Sequence, residues 1–163
     1  MTVFDQYEFR RFEPADIPQI KSLNNLALND VGLTSGRSVE PPDLDKIQQL
    51  YVDRGGDFVV VTDGSQIAAM GGFWPLRGEP DTAELMRVRV LPGLQRQGLG
   101  QAVLTLLEAE VVEFGFEAVE MNTSVLQTAA QRLYLRNGYA EVRRETIGYS
   151  RETIFYRKVI GEL

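Results

Sequence analysis

The run Val88-Arg89-Val90-Leu91-Pro92-Gly93-Leu94-Gln95-Arg96-Gln97-Gly98-Leu99-Gly100 decides how this chain is read. An apolar stretch of strand character ends at Pro92-Gly93, and a helical pattern begins where two glycines flank Leu99. The first N–H groups of a helix have no partner within it, and the helix dipole makes that end attractive to anions. Glycines there remove side chains that would keep a phosphate from the backbone. The turn therefore reads as a phosphate cradle. Taken alone, Gly98-x-Gly100 would serve equally well to ease a tight strand-to-helix connection. Two other phosphate motifs are excluded. Gly93 and Gly98 have P-loop spacing, but Leu99-Gly100 stands where Lys-Ser/Thr is needed. A dinucleotide fingerprint needs a third glycine at position 103, which is Val103.

Working outward, Thr82–Leu91 reads as a strand. Gly98–Phe114 reads as a helix, with Leu99, Val103, Leu106, Leu107, Val111 and Phe114 at helical spacing and Gly115 as its stop. Upstream, Tyr7–Phe12 is a strand, and Pro14-Ala15-Asp16 opens a helix carrying Ile17, Ile20 and Leu23. Asn29–Pro42 is a loop of the length that often carries function. Asp43 caps a second helix running to about Val52, and Phe58–Thr62, the Asp63-Gly64 turn and Ile67–Leu76 form a hairpin. Downstream come a strand at Ala118–Thr123, a helix at Gln127–Asn137 closed by Gly138, and strands at Ala140–Tyr149 and Glu152–Ile160 around a turn at Gly148–Arg151. The expected order is β-α-α-β-β-β-α-β-α-β-β, an α/β fold with a mixed sheet. Residues 1–163 are expected to form a single domain.

Composition removes whole classes of chemistry. The chain has no cysteine and no histidine, so thiol nucleophiles, Cys/His zinc sites and a histidine base are excluded. Lys plus Arg number 17 against 23 Asp plus Glu, and the net charge of −6 disfavours a nucleic-acid partner. An acidic surface mildly favours amines, though acidity also serves solubility. The N-terminal residues lack the order of a signal peptide, and no apolar run reaches membrane-spanning length. The expectation is a cytoplasmic protein without membrane association, a monomer or homodimer.

Gln95-x-x-Gly98-x-Gly100 resembles the Gln/Arg-x-x-Gly-x-Gly/Ala signature of the GNAT acetyltransferase superfamily, which grips the pyrophosphate of coenzyme A. Glu84 to Pro92 looks like that superfamily's central strand, which splays from its neighbour and pairs with the pantetheine arm. The resemblance implies backbone contacts to acetyl-CoA from Val88, Arg89 and Val90, including an N–H to the acyl carbonyl. It implies amides to the pyrophosphate from Gln95, Arg96, Gln97, Gly98, Leu99, Gly100 and Gln101. A second block, Gln127 to Tyr139, resembles the family's Asn-x-x-Ala-x-x-x-Tyr-x-x-x-Gly-Phe helix. Gln127, Ala130 and Tyr134 share one helical face, with Gln127 where many relatives carry Asn.

Acyl transfer to an amine needs a base for the amine, a donor for the carbonyl oxygen and a proton for the departing thiolate. With no histidine, a carboxylate is the natural base. Glu84 shares strand parity with Met86, Val88 and Val90 provided no bulge intervenes. The resemblance implies that Glu84 acts as base, commonly through water; the alternative is a strand-end Glu paired with Arg87 or Arg89. Tyr134 is the candidate donor to the thiolate; otherwise it is a core tyrosine. The scheme uses no metal. Phe73-Trp74 walls an acceptor pocket or packs in the core, and Arg143-Arg144 meets a substrate carboxylate or forms sheet ion pairs. The expected function is N-acetyl transfer from acetyl-CoA to a primary amine of a small molecule or peptide. The alternative is an acyl-CoA sensor without turnover.

Overall fold

The computed structural model describes residues 3–33, 42–147 and 151–160. Seven strands form one sheet in the order β1-β2-β3-β4-β5-β7-β6. They are β1 (Glu8–Arg11), β2 (Asp57–Thr62), β3 (Ile67–Leu76), β4 (Glu79–Val90), β5 (Ala118–Ser124), β6 (Ala140–Ile147) and β7 (Arg151–Val159). All neighbours are antiparallel except β4 and β5. The helices are α1 (Ile17–Asp30), α2 (Leu99–Glu113) and α3 (Thr128–Arg136).

Both faces of β3 and β4 are covered, α1 on one and α2 on the other. This explains why β2, Asp57-Phe-Val-Val-Val-Thr62, is buried along its whole length instead of alternating. On the α2 face, Leu99, Val103, Leu104, Leu107 and Val111 pack against Val59, Val61, Phe73 and Leu85. Each such side chain contributes about 1.5–3 kcal/mol as an upper estimate. The α1 face holds Ile20, Leu23, Leu44, Ile47, Tyr51, Phe58 and Met70.

The predicted elements lie close to the observed ones, with two corrections. The second helix is not an α-helix: Pro42–Asp45 is a 3-10 turn and Gln48–Val52 a π turn. Asp43 does not cap it. Its carboxylate accepts hydrogen bonds from Tyr51 and Arg87, and the wide turn, with Asp53 N–H on the Gln48 carbonyl at 2.8 Å, accommodates that buried network. The parity expected along Glu84, Met86, Val88 and Val90 is also broken. The β3–β4 register shifts between Met70 and Gly72, and Arg87 sits at φ 58° in the bulge. Met86 packs with the α1-side core, whereas Val88 and Val90 pack with the α2-side core. Opposite the bulge, a Cβ on Gly71 would lie 2.8 Å from Leu107 and 3.2 Å from Val88, so only glycine lets α2 approach this closely. The Gly148–Arg151 turn and much of the Asn29–Pro42 loop fall outside the described residues.

Candidate active site

The site begins where two parallel strands part. β4 and β5 are paired only at Thr82–Ala118, Ala83–Val119 and Glu84–Glu120, although β4 continues to Val90 and β5 to Ser124. Leu91 N–H donates to Ala68 of β3 at 2.8 Å. Backbone groups alternate sides along a strand, so those of Val88 and Val90 face away from β3 into the opening. The Val90 carbonyl accepts from Gln95 Nε2 at 3.4 Å on that side. Arg89, opposite Met70 in the register, turns its backbone to β3, and its side chain reaches Asn24 of α1. Val88, Val90, Leu94, Ala130 and Leu133 are partly buried apolar residues around the opening. A Cβ on Gly100 would lie 3.6 Å from both Val90 and Leu133, so this glycine sits between the two walls.

At the mouth, Leu91-Pro92-Gly93-Leu94 is a turn closed by Leu94 N–H to the Leu91 carbonyl at 2.9 Å, with Gly93 at φ 93°. Arg96 at φ 66° and Gly98 at φ 85° redirect the chain into α2. The first intrahelical bond runs from Ala102 N–H to Gly98, so the amides of Leu99, Gly100 and Gln101 precede it. Gln95, Arg96, Gln97 and Gly98 are exposed. This set of outward amides fits a pyrophosphate, and the apolar opening beside it fits a pantetheine arm. Gln101 spends its side chain elsewhere, in a reciprocal amide pair with Asn137 at 2.8 Å that joins α2 to α3.

Just before α3, Gln127 turns its Oε1 back to Thr123 Oγ1 at 2.8 Å and Ser124 N–H at 2.9 Å, fixing the β5–α3 connection. Ala130 lies at the opening. Tyr134 is 6% exposed, its ring set against Tyr139 and Tyr156 with both centroids 5.9 Å away. Burial pushes its phenol up to about 12, with the charge of Arg89 opposing the shift. Its hydroxyl is not held in a hydrogen bond with any described residue.

Glu84 stands at the last pair before the strands part. Its Oε1 accepts from Trp74 Nε1. The Trp74 ring lies against Tyr51 with centroids 4.5 Å apart, and the Arg54 guanidinium lies over the Trp74 ring at 5.1 Å from its centroid. Tyr51 in turn donates to Asp43 at 2.8 Å. Burial opposes the charge on Asp43, but the hydrogen bonds and charge of Arg87 outweigh it and hold the carboxyl below its usual range. Glu84 is therefore part of a fixed chain of contacts running to the bulge. Phe73, one residue before Trp74, points to the other face and packs against Phe114 and Phe116. Arg143 and Arg144 are taken by sheet ion pairs, Arg143 with Glu120 at 2.7 Å and Arg144 with Glu141 at 2.9 Å.

Sequence reasoning missed Asn24, Asp43 and the side chains of Arg87 and Arg89. One signal was present: Asn24 falls on the buried stripe of α1 formed by Ile20, Leu23 and Ala27. Among the described residues no group of three or more His, Cys, Asp or Glu is arranged to hold a metal, and no helix is long and apolar enough to cross a membrane.

The sheet thus parts between β4 and β5, and a glycine turn opens α2 beside the split. Residues 22–139 match the Acetyltransferase (GNAT) family, and the chain belongs to that family. It is 29% identical over 136 residues, 82% of this chain and 81% of the relative, to the Escherichia coli (strain K12) protein named Uncharacterized N-acetyltransferase YjgM. Over a shorter stretch of 58 residues, 36% of this chain and 38% of the relative, it is 34% identical to the aminoalkylphosphonate N-acetyltransferase of Salmonella typhimurium. Among solved structures, it resembles an acetyltransferase from Streptococcus agalactiae, with TM-score 0.83, 19% identity, and 96% and 99% of the two chains covered. It also resembles yncA of Salmonella typhimurium, a putative acetyltransferase solved with its cofactor acetyl-CoA, with TM-score 0.81, 20% identity, and 98% and 96% covered. The protein is an acetyl-CoA-dependent acetyltransferase, and GNAT acetyltransferases act on amine acceptors.

Proposed function

We propose that this protein acetylates a primary amine of a small molecule or peptide by direct attack on the thioester, with Glu84 and Tyr134 as its working side chains. The observation that carries the reading is the parting of β4 from β5 directly above the Gly98 turn. Acetyl-CoA, as co-substrate, supplies the acetyl group on a thioester. The amides of Leu99, Gly100 and Gln101 hold the pyrophosphate, and the outward N–H of Val88 or Val90 steadies the acyl oxygen. The amine nitrogen bonds to the carbonyl carbon, the carbon–sulfur bond breaks with its electron pair on sulfur, and an amine proton ends on the thiol. Amide and free thiol result.

Glu84 receives the proton that the ammonium form gives up to free its lone pair, and the second proton, lost by nitrogen after attack, goes to the departing sulfur. Glu84 stands four residues before Val88, on the order of 13 Å along a regular strand and less across the bulge, so a water carries part of the path. Tyr134 serves the sulfur as a hydrogen-bond donor. A phenol at about 12 is roughly 3.5 units above a thiol near ~8.5, and full transfer would be uphill by about 5 kcal/mol. The phenol thus stabilises the developing thiolate and keeps its own proton.

The test is a pair of measurements. Acetyl-CoA and CoA should raise Tm and pantetheine should do so far less, because the turn is assigned to pyrophosphate. Thiol release with acetyl-CoA against a panel of amines, amino acids and peptides should then find turnover. Stabilisation without turnover on any acceptor would favour an acyl-CoA sensor. Equal stabilisation by pantetheine would remove the basis of the turn assignment.

A further inference from the structure

Among the described residues no carboxylate forms an ion pair with Arg89. Arg10, Arg11, Arg87, Arg143, Arg144 and Arg157 each reach an Asp or Glu. Arg89, partly buried in the centre of the molecule, has none among the described residues. Its Nε donates to Asn24 Oδ1 at 3.2 Å and its Nη1 to the Val88 carbonyl at 3.2 Å, which leaves N–H donors on both terminal nitrogens. The groups acting on it from the packed elements are Arg87, Tyr134, Tyr51 and Asp43, and Asp43 is already committed to Arg87 and Tyr51. Burial, then the like charge of Arg87, pulls the guanidinium down to about 10.

Asn24 supplies a second, independent observation. It is fully buried, and its Nδ2 has no hydrogen-bond partner. Donation by Arg89 fixes which end of the amide faces the guanidinium, so the orphan donor is not a matter of a reversed amide. A buried unpaired donor is destabilising. Asn24 Nδ2 is closed off from solvent, so Asn24 holds the guanidinium through its Oδ1, and the spare N–H groups of the partly exposed Arg89 form a receptor for an anion.

Position says which anion. The Arg89 side chain meets Asn24 of α1, whereas the pyrophosphate turn opens α2 on the opposite face of the sheet. Glu84, through Trp74 and Tyr51, is on the α1 side, and Arg89 also acts on Tyr134 across the opening. The receptor is thus on the side of the proposed base.

We propose that Arg89, backed by Asn24, is the subsite for a carboxylate on the acceptor, so that the amine acetylated here is an amino acid or another amine bearing an acidic group. This rests on the transferase reading above and narrows it. A carboxylate at Arg89 has one other source, a dicarboxylic acyl group on the donor.

The test uses free amino acids and their carboxamides as matched pairs. Binding is measured by calorimetry on the CoA-saturated protein, and turnover by thiol release with acetyl-CoA. The native protein should favour the acid of at least one pair by tenfold or more in Kd and kcat/KM, the least expected of a shielded charge-assisted pair. In Arg89→Gln that ratio should fall to about one, with CoA binding measured separately as a folding control. Asn24→Asp places a carboxylate beside the guanidinium and should abolish the preference in the same way without loss of Tm. Equal use of acid and amide, an unchanged ratio in Arg89→Gln, or no binding by any amino acid would overturn the subsite. So would an Arg89-dependent preference for succinyl-CoA over acetyl-CoA, which would assign the charge to the donor. Amino acids bound through Arg89 but never acetylated would sink the transferase reading and leave the subsite standing.

Discussion

Arg87 donates Nε at 3.1 Å and Nη2 at 2.8 Å to the two carboxylate oxygens of Asp43, 44 residues earlier in the chain. Arg87 holds a left-handed φ of 58° in the β4 bulge, and this bidentate pair fastens the bulge to the turn at Pro42–Asp45. The side chains are only 19% and 11% exposed, so removing one partner strands the other. Asp43→Ala should cost about 3 kcal/mol, seen as a lower urea midpoint at unchanged m. Catalysis should fall too, because the bulge sets where Glu84 stands relative to Val88. A midpoint equal to the parent's would show that the pair is incidental.

Two glycines of the cradle are expected to behave differently. Gly98 is at φ 85°, so Gly98→Ala should lose about 1 kcal/mol of stability as well as affinity for CoA. Gly100 has an ordinary backbone, and its added Cβ meets Val90 and Leu133 at 3.6 Å, normal contact. Gly100→Val should therefore keep most of the parent's Tm yet lose roughly tenfold or more in CoA affinity, since the branched side chain fills the space between the two walls. Thermal melts with and without CoA separate the cases. Unchanged affinity in Gly100→Val would mean that the opening is not the route of the pantetheine arm.

Tyr134→Phe keeps the ring contacts with Tyr139 and Tyr156 and removes one hydroxyl. With the phenol as donor to the thiolate, kcat should drop by roughly 10²-fold while Kd for CoA barely moves. The pH profile adds a check. Because burial pushes this phenol up to about 12, it stays protonated, and kcat should show no descending limb from Tyr134 below pH ~10. Full activity in the variant would return Tyr134 to the core and leave the sulfur to water.

Glu110 on α2 gives a pH dependence separate from catalysis. Burial, then the charge of Asp57 and a hydrogen bond with it, pushes its carboxyl up to about 7 from an ordinary 4.5. Between those values the folded state holds a proton that the unfolded state has released. Stability must therefore fall as pH rises from about 4.5 to 7, and level off above. Glu110→Gln imitates the protonated acid, so it should flatten this slope and exceed the parent at pH 8. The group is partly exposed, which limits the gain to about 1 kcal/mol, a few degrees of Tm. Parallel melts at pH 5 and pH 8 decide it; identical slopes for both proteins would rule Glu110 out.

The glycine turn before α2 was legible because its requirements are local. Leu91-Pro92-Gly93, Gly98 and Gly100 each answer a backbone need within a residue or two of themselves, and the buried stripe of α2 follows from helical spacing alone. The family resemblance extended that reading to Gln127, Ala130 and Tyr134, all in or next to one short helix. The expected α-helix from Asp43 to Val52 failed for the opposite reason. Local pattern favoured a capped helix there, but Asp43 had partners at Tyr51 and Arg87 whose burial outweighed it.

From the sequence alone came the α/β order, the glycine turn that opens α2 and the exclusion of histidine and cysteine chemistry. Only the tertiary structure decided where β4 leaves β5, which face each side chain of β4 takes after the bulge, and that Arg89 meets Asn24, 65 residues away. Strand register is fixed by neighbours distant in sequence, and one inserted residue in a bulge reverses every facing that follows. A run of alternating residues names the strand but cannot say that Arg87 will reach Asp43 while Arg89 reaches Asn24.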